Sequence, residues 1–251
     1  MKLKKPNFTE DEAMQRIWDV EEIKKIMNRR MHYVSNDEHR RELDDFWVTE
    51  PNNRRTASFG SNWGWYVGME SIEKYYVLDY ERRRHEHLRA ICESHPEIEN
   101  SPINLGIGCM HIHPPTTPYI HLAYDGKTAR GLWYVIGQDT ISRPDGTAEA
   151  RWVSQKMAVD FVREKCGWRI WHLVIAYDLS SEAGEDYSRQ PVYPAPGSDP
   201  YEQAFGKPDV AMLTHNNIFN WWDDYPPMPK PYFTYTDDIG YAPEGHPNYE
   251  G

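Results

Sequence analysis

His111 and His113 stand two apart in a stretch that reads as a strand, residues 107–113. Side chains at that spacing face one side of a strand, so both imidazoles aim at one place. A neutral imidazole takes up or releases a proton near neutral pH, which makes the pair a candidate acid–base centre. The plainer reading is two hydrogen-bonded histidines near a sheet edge. His-x-His is also a metal-ligand spacing. Pro114, Pro115, Thr116, Thr117 and Pro118 follow it, however, with no carboxylate in reach along the strand. No HExxH or CxxC motif occurs, and no metal is assigned. Cys109 shares the parity of the histidines and raises a Cys–His nucleophile, but a small buried thiol is the simpler role. No glycine-rich phosphate loop, nucleophile elbow or Ser/His/Asp order stands out.

Hydroxyls and rings complete the candidate set. Tyr76, Asp79 and Tyr80 lie a helical turn or less apart, so a hydroxyl and a carboxylate can share a face. A half-buried helix explains the same spacing. Asn62, Trp63 and Trp65 occupy a glycine-flanked stretch before that helix, where rings on a loop suggest the mouth of a pocket. Trp133, Trp152 and Met157 belong to strands and are expected as pocket wall. A one-residue slip in parity would turn each to the opposite face. His121 and His172 read as structural, and His85, His87 and His95 as solvated.

The elements that must position these groups follow from periodicity. Val20, Ile23, Ile26, Met27, Met31 and Val34 recur at three- and four-residue steps, predicting a helix over residues 20–34. Asp19 is its expected N-cap, with Glu22 three residues on, and residues 1–18 are expected as a polar leader that is part helical. A second helix is expected over residues 37–47, with Leu43, Phe46 and Trp47 buried. Pro51 breaks the chain, residues 54–59 read as a strand, and residues 60–66 as a loop. A long helix over 69–93 carries a charged, solvated middle. After Pro102 the period alternates, giving strands at 107–113, 119–124, 128–138, 150–164 and 168–178. Asp125-Gly126 and Cys166-Gly167 supply turns. Helices first and hairpin-linked strands after predict one α+β domain over residues 19–180, with a curved, mostly antiparallel sheet.

Composition narrows the function classes. Among 251 residues the formal net charge is −11, which argues against nucleic acid or an anionic membrane as partner. The basic opening of residues 1–5 lacks the apolar stretch of a signal peptide, and no window is apolar for long enough to span a bilayer. Three scattered cysteines suggest free thiols in a reducing cytoplasm. Aromatic residues make up 14% of the chain, and a core needs some of them. A pocket for a flat substrate is the other use of so many rings, and composition does not separate it from core packing. Residues 181–251 form a separate arm holding most of the 19 prolines and many rings. A disordered tail is normally poor in rings, so the arm is expected to wrap over its own domain or a neighbouring subunit.

The chain resembles the SnoaL-like branch of the NTF2-like superfamily from about residue 20 to residue 179. The carriers are Glu21-Glu22-Ile23-Lys24-Lys25-Ile26, Gly68-Met69-Glu70-Ser71-Ile72, and His113 ahead of Pro118-Tyr119-Ile120 and Asp125-Gly126-Lys127-Thr128-Ala129. Asp160-Phe161-Val162-Arg163-Glu164 and then Gly167-Trp168-Arg169-Ile170 close the match. The resemblance implies an NTF2-like cone: a bent sheet wrapped by three helices, with a pocket that the position of His113 faces. It also implies dehydratases, cyclases, isomerases and lyases that need no metal or organic cofactor, beside proteins with no chemistry. Scytalone dehydratase, a relative, carries a Tyr-Asp pair in a segment comparable to that of Tyr33. Here Val34 follows Tyr33, so the acid is missing, though Tyr33 can still polarise a carbonyl or donate a proton. The resulting expectation is a cofactor-free lyase or isomerase, in a homo-oligomer of two or three chains, acting on a small hydrophobic or aromatic molecule. His113 is its acid or base, and His111, Tyr33 and Tyr76 assist. A ligand-binding module and the small subunit of a ring-hydroxylating oxygenase are the alternatives.

Overall fold

The computed structural model describes residues 6–142, 147–186, 207–211 and 225–245. Helix α1 (Glu10–Ser35) begins well before residue 20, inside the segment expected as a leader. A capping box starts it: Thr9 Oγ1 accepts from the Glu12 N–H at 3.2 Å, and the Glu12 carboxylate accepts from the Thr9 N–H at 2.8 Å. The apolar stripe marks only the part of the helix that touches the sheet. Asp19 is therefore not a cap. It is buried mid-helix, accepts from Trp168 Nε1 at 3.2 Å and pairs with Arg163, pinning α1 to the far hairpin.

Helix α2 (His39–Phe46) leads into α3 (Pro51–Thr56), where a strand was expected. Pro51 at the first turn explains the difference, since its fixed φ suits a helix start and its missing N–H costs nothing there. Residues expected as a loop instead form a hairpin of β1 (Ser58–Ser61) and β2 (Gly64–Val67). Two glycines make the hairpin possible. Gly64 turns with φ at +152°, and a Cβ on Gly60 would lie 2.5 Å from the Trp65 indole nitrogen. The long helix is α4 (Met69–Glu73) and α5 (Tyr80–Ser94), joined by a wider π turn, Lys74–Asp79. The ion pair Lys74–Asp79 spans five residues at 2.9 Å, the reach that a π turn creates.

Strands β3 (Met110–Ile112), β4 (Pro115–Leu122), β5 (Thr128–Ser142), β6 (Ala148–Glu164), β7 (Gly167–Glu182) and β8 (Val210–Ala211) complete the sheet. Its order is β3-β5-β6-β7-β1-β2-β8, with β4 also on β5. Only β1 and β7 run parallel, so the sheet is mixed but mostly antiparallel. Trp133, Met157, Val159, Phe161 and Leu173 face inward against Ile23, Met27, Phe46 and Ile72. Removing each such side chain from water contributes about 1.5–3 kcal/mol. On the outer face, Leu132, Ala158, Val174 and Ala176 lie under Tyr225 and Tyr241 of the arm. The arm is tied down by backbone bonds from Tyr124 and Asp125 to Tyr232 and Phe233, both at 3.0 Å. No helix among the described residues is long and apolar enough to cross a membrane.

Candidate active site

Between the helices and the inner face of the sheet lies a cavity of about 450 Å³. That volume suits a small organic molecule. Strand β3 carries His111 to its wall, and His113 follows in the turn before β4. Antiparallel pairing sets His111 directly against Asp139 of β5. His111 Nδ1 lies 2.9 Å from Asp139 Oδ1, and His113 Nε2 approaches the same oxygen at 2.8 Å. The second approach is oblique and makes no hydrogen bond of good geometry. Close packing holds His113 there. A Cβ on Gly137 would lie 2.4 Å from the imidazole Cδ2, so only glycine leaves it room.

Charge is distributed unevenly over this cluster. Burial favours the neutral acid of Asp139, but its two histidine partners overcome this and hold its pKa down to about 2. Burial likewise works against a charged His111, yet the bond to Asp139 and that carboxylate's charge raise its pKa above the ordinary value. His111 Nε2 faces the Tyr80 hydroxyl at 3.4 Å, and Tyr80 donates to Asp37 Oδ1 at 2.6 Å. A protonated His111 satisfies both contacts by donating through each ring nitrogen. Burial, followed by the carboxylate of Asp37, pushes the Tyr80 hydroxyl pKa far up, so it stays neutral.

A second polar group closes the cavity floor. Arg30 of α1 is fully buried, and its Nε donates to Glu42 Oε1 of α2 at 2.7 Å. Tyr76 in the π turn accepts from Arg30 Nη2 at 2.9 Å and donates to Glu42 Oε2 at 2.8 Å. Burial alone would neutralise Glu42, but the charge of Arg30 keeps its pKa below the ordinary value. The remaining Arg30 nitrogen points at the Met31 and Met157 sulfurs, both at 3.6 Å, which are weak acceptors. His39 is packed edge-on between Tyr76 and Tyr80, with ring centroids 4.5 Å from each.

Of the residues singled out in the sequence, His111, His113, Tyr76, Tyr80, Cys109, Trp63 and Met157 line the cavity, and so does His87, which was expected to be solvated. The other candidate site residues do not. Tyr33 is buried in the core beside the cavity's helices, stacked on Phe46 and donating to Asp45 at 2.7 Å. Asn62 sits at the hairpin turn and exchanges two bonds with the Tyr177 backbone, at 2.9 and 2.7 Å. Trp65 is on the outer face of the sheet with Tyr225. The π turn sends Asp79 outward to Lys74 and Arg82. Trp133 is core, packed on Phe161, and Trp152 is 48% exposed on the outer face. Trp152 and Met157 are five residues apart on one strand, so only one of them can face inward.

Sequence reasoning missed Asp139, Arg30, Glu42 and Gln155, and it named Tyr80 without committing to it. Arg30 left a trace, falling on the stripe Ile23, Met27, Arg30, Val34. Gln155 left a clearer one, as the polar member of the inward set Val153, Gln155, Met157, Val159, Phe161. Asp139 left none, because its partner is set by strand register. Among the described residues, no group of three His, Cys, Asp or Glu side chains is disposed to hold a metal ion.

A curved sheet, helices closing its open side and a pocket holding an Asp–His pair define an NTF2-like cone protein. The family model for the SnoaL-like domain matches residues 15–174, and the chain belongs to that family. No curated protein matches it. Similar solved structures include an NTF2-like protein with a cystatin-like fold from Novosphingobium aromaticivorans, at 15% identity and TM-score 0.41, covering 66% of this chain and 85% of that one. Another is the hexachlorocyclohexane dehydrochlorinase LinA-type3 from Novosphingobium barchaimii, at 11% identity and TM-score 0.45, covering 71% and 99%. A protein of unknown function from Mycobacterium tuberculosis has 11% identity and TM-score 0.48, covering 80% and 96%.

Proposed function

We propose that the protein is a lyase or isomerase that moves protons on a small, largely apolar aromatic molecule by histidine acid–base chemistry. The observation that carries this reading is the shared carboxylate: two imidazoles converge on Asp139 in the wall of a ring-lined cavity. Asp139 orients the His111 ring and stabilises positive charge on it. His111, with its raised pKa, is suited to donate a proton to a departing or developing oxygen. His113 takes the proton from carbon. The electron pair of that C–H bond forms the new double bond as the leaving group departs with the proton from His111. Tyr76 is retained as a wall residue only, since its hydroxyl is already used by Arg30 and Glu42.

The test is a panel of aryl β-hydroxy ketones, followed by the absorbance of the conjugated alkene. Turnover by the intact protein should fall about 10²–10⁴-fold in His113→Ala, and His111→Ala should lose the alkaline limb of the pH profile, the limb set by a proton donor. Turnover indifferent to both substitutions would remove the proposal. Thermal stabilisation by the panel without any turnover would make the protein a binding module instead.

A further inference from the structure

Gln155 is a polar residue at an inward position of β6, flanked by Val153 and Met157 on the same face. It lines the cavity while being only 1% exposed. Neither its amide nitrogen nor its amide oxygen has a hydrogen-bond partner among the described residues. Each unpaired buried polar group costs about 1–3 kcal/mol, so a chain that needed only packing would be better served by leucine or methionine here. The neighbouring polar side chains of the wall are engaged in different ways. Ser61 donates to the Ile175 carbonyl at 3.1 Å, and Arg30, Glu42 and Tyr76 satisfy one another. The amide of Gln155 is left with both its NH2 group and its carbonyl oxygen to offer.

We propose that Gln155 is the specificity residue of the pocket and that it recognises a hydroxyl group on an aromatic ligand. A hydroxyl can accept from the amide N–H and donate to the amide oxygen at once. An ether or halogen cannot donate, and a carboxylate would have to be desolvated against the amide oxygen. Rotation about the last side-chain torsion, which is soft, brings the amide to the ligand. The cross-strand partner of Gln155 is Val135, two residues from the glycine beneath His113. Two residues of strand span about 6.6 Å. The recognised hydroxyl therefore lies about one aromatic ring away from the carbon that the histidines address. This inference deepens the reading of the site as an acid–base centre, and it is tested by binding alone.

The probes are 2-naphthol and naphthalene, which differ by one hydroxyl, with dissociation constants read by quenching of tryptophan fluorescence. The intact protein should bind 2-naphthol at least about 10-fold more tightly than naphthalene, the range expected for two neutral hydrogen bonds. Gln155→Leu should bring that ratio close to one while binding naphthalene no worse. Gln155→Met, unbranched and of similar length, gives the same readout should the leucine variant fold poorly. A ratio unchanged in the folded variants, or an intact protein without preference for the hydroxyl, overturns the proposal. His113→Ala should keep the naphthol preference. An intact protein that prefers the naphthol but turns over none of the ketones retires the acid–base reading alone, and one that turns them over without the preference retires this inference alone.

Discussion

Asp139 decides the electrostatics of the site, and its removal has a calculable sign. With its pKa lowered to about 2, the carboxylate contributes stability that is present above about pH 4 and lost as pH falls through 2. The raised pKa of His111 contributes stability that is full below about 6.5 and lost as pH rises through the folded value. Their attraction is therefore strongest between about pH 4 and 6.5. Asp139→Asn should cost roughly 1–3 kcal/mol in urea melts within that window and less at pH 9. In the same variant, burial and the charge of Arg84 would still lower the His111 pKa, opposed only by the weaker pull of Asp37. That pKa, followed by NMR, should drop from above the ordinary value to below it. A pKa that stays raised would mean Asp37, close to Tyr80, supplies the charge instead.

At the scale of elements, strand parity separates what the sequence shows from what it hides. The odd positions of β6 from Val153 to Phe161 alternate cleanly, and the inward face could be read from them. The same rule applied to Met157 excludes Trp152 from the pocket. Size and ring character suggested otherwise, but the backbone period outranks them. Trp133→Ala should therefore cost about 3–5 kcal/mol, while Trp152→Ser should stay within about 0.5 kcal/mol. Reversed effects in denaturant melts would mean that the two faces have been exchanged, and equal effects that parity does not separate them. Helices were legible where an apolar stripe meets the sheet and only faintly beyond it, which is why the first turns of α1 read as a part-helical leader rather than as its start. The π turn of Lys74–Asp79 was hidden for a different reason. It widens by one residue without altering composition, and it turns Asp79 away from the tyrosines it seemed to join. His111 and His113 were readable because residues two apart along an extended chain share a side, although β3 itself ends at Ile112. Their partner Asp139 was not, because cross-strand register is a property of the folded pair of strands.

At the scale of the whole molecule, the open question is whether the arm melts with the domain or separately. Its described part covers the sheet face opposite the cavity, over a buried group of charges. Asp160 there accepts from Arg130 Nε at 3.2 Å, His172 Nδ1 at 2.9 Å and the Tyr241 N–H at 2.6 Å. Tyr241 is fully buried, lies 4.3 Å beneath the Arg130 guanidinium and donates to the Pro227 carbonyl at 2.7 Å. Arg130, Asp160 and His172 all belong to the central strands β5, β6 and β7. Loosening the arm would wet a charge cluster at the heart of the sheet, so arm and domain should unfold as one cooperative unit. Tyr241→Ala should then lower global stability by about 3–5 kcal/mol in a single urea transition. Were the arm an independent strap, the substitution would leave the midpoint of the main transition in place. Only the amides of residues 225–245 would then exchange faster with solvent. Hydrogen exchange read beside the melt separates the two outcomes.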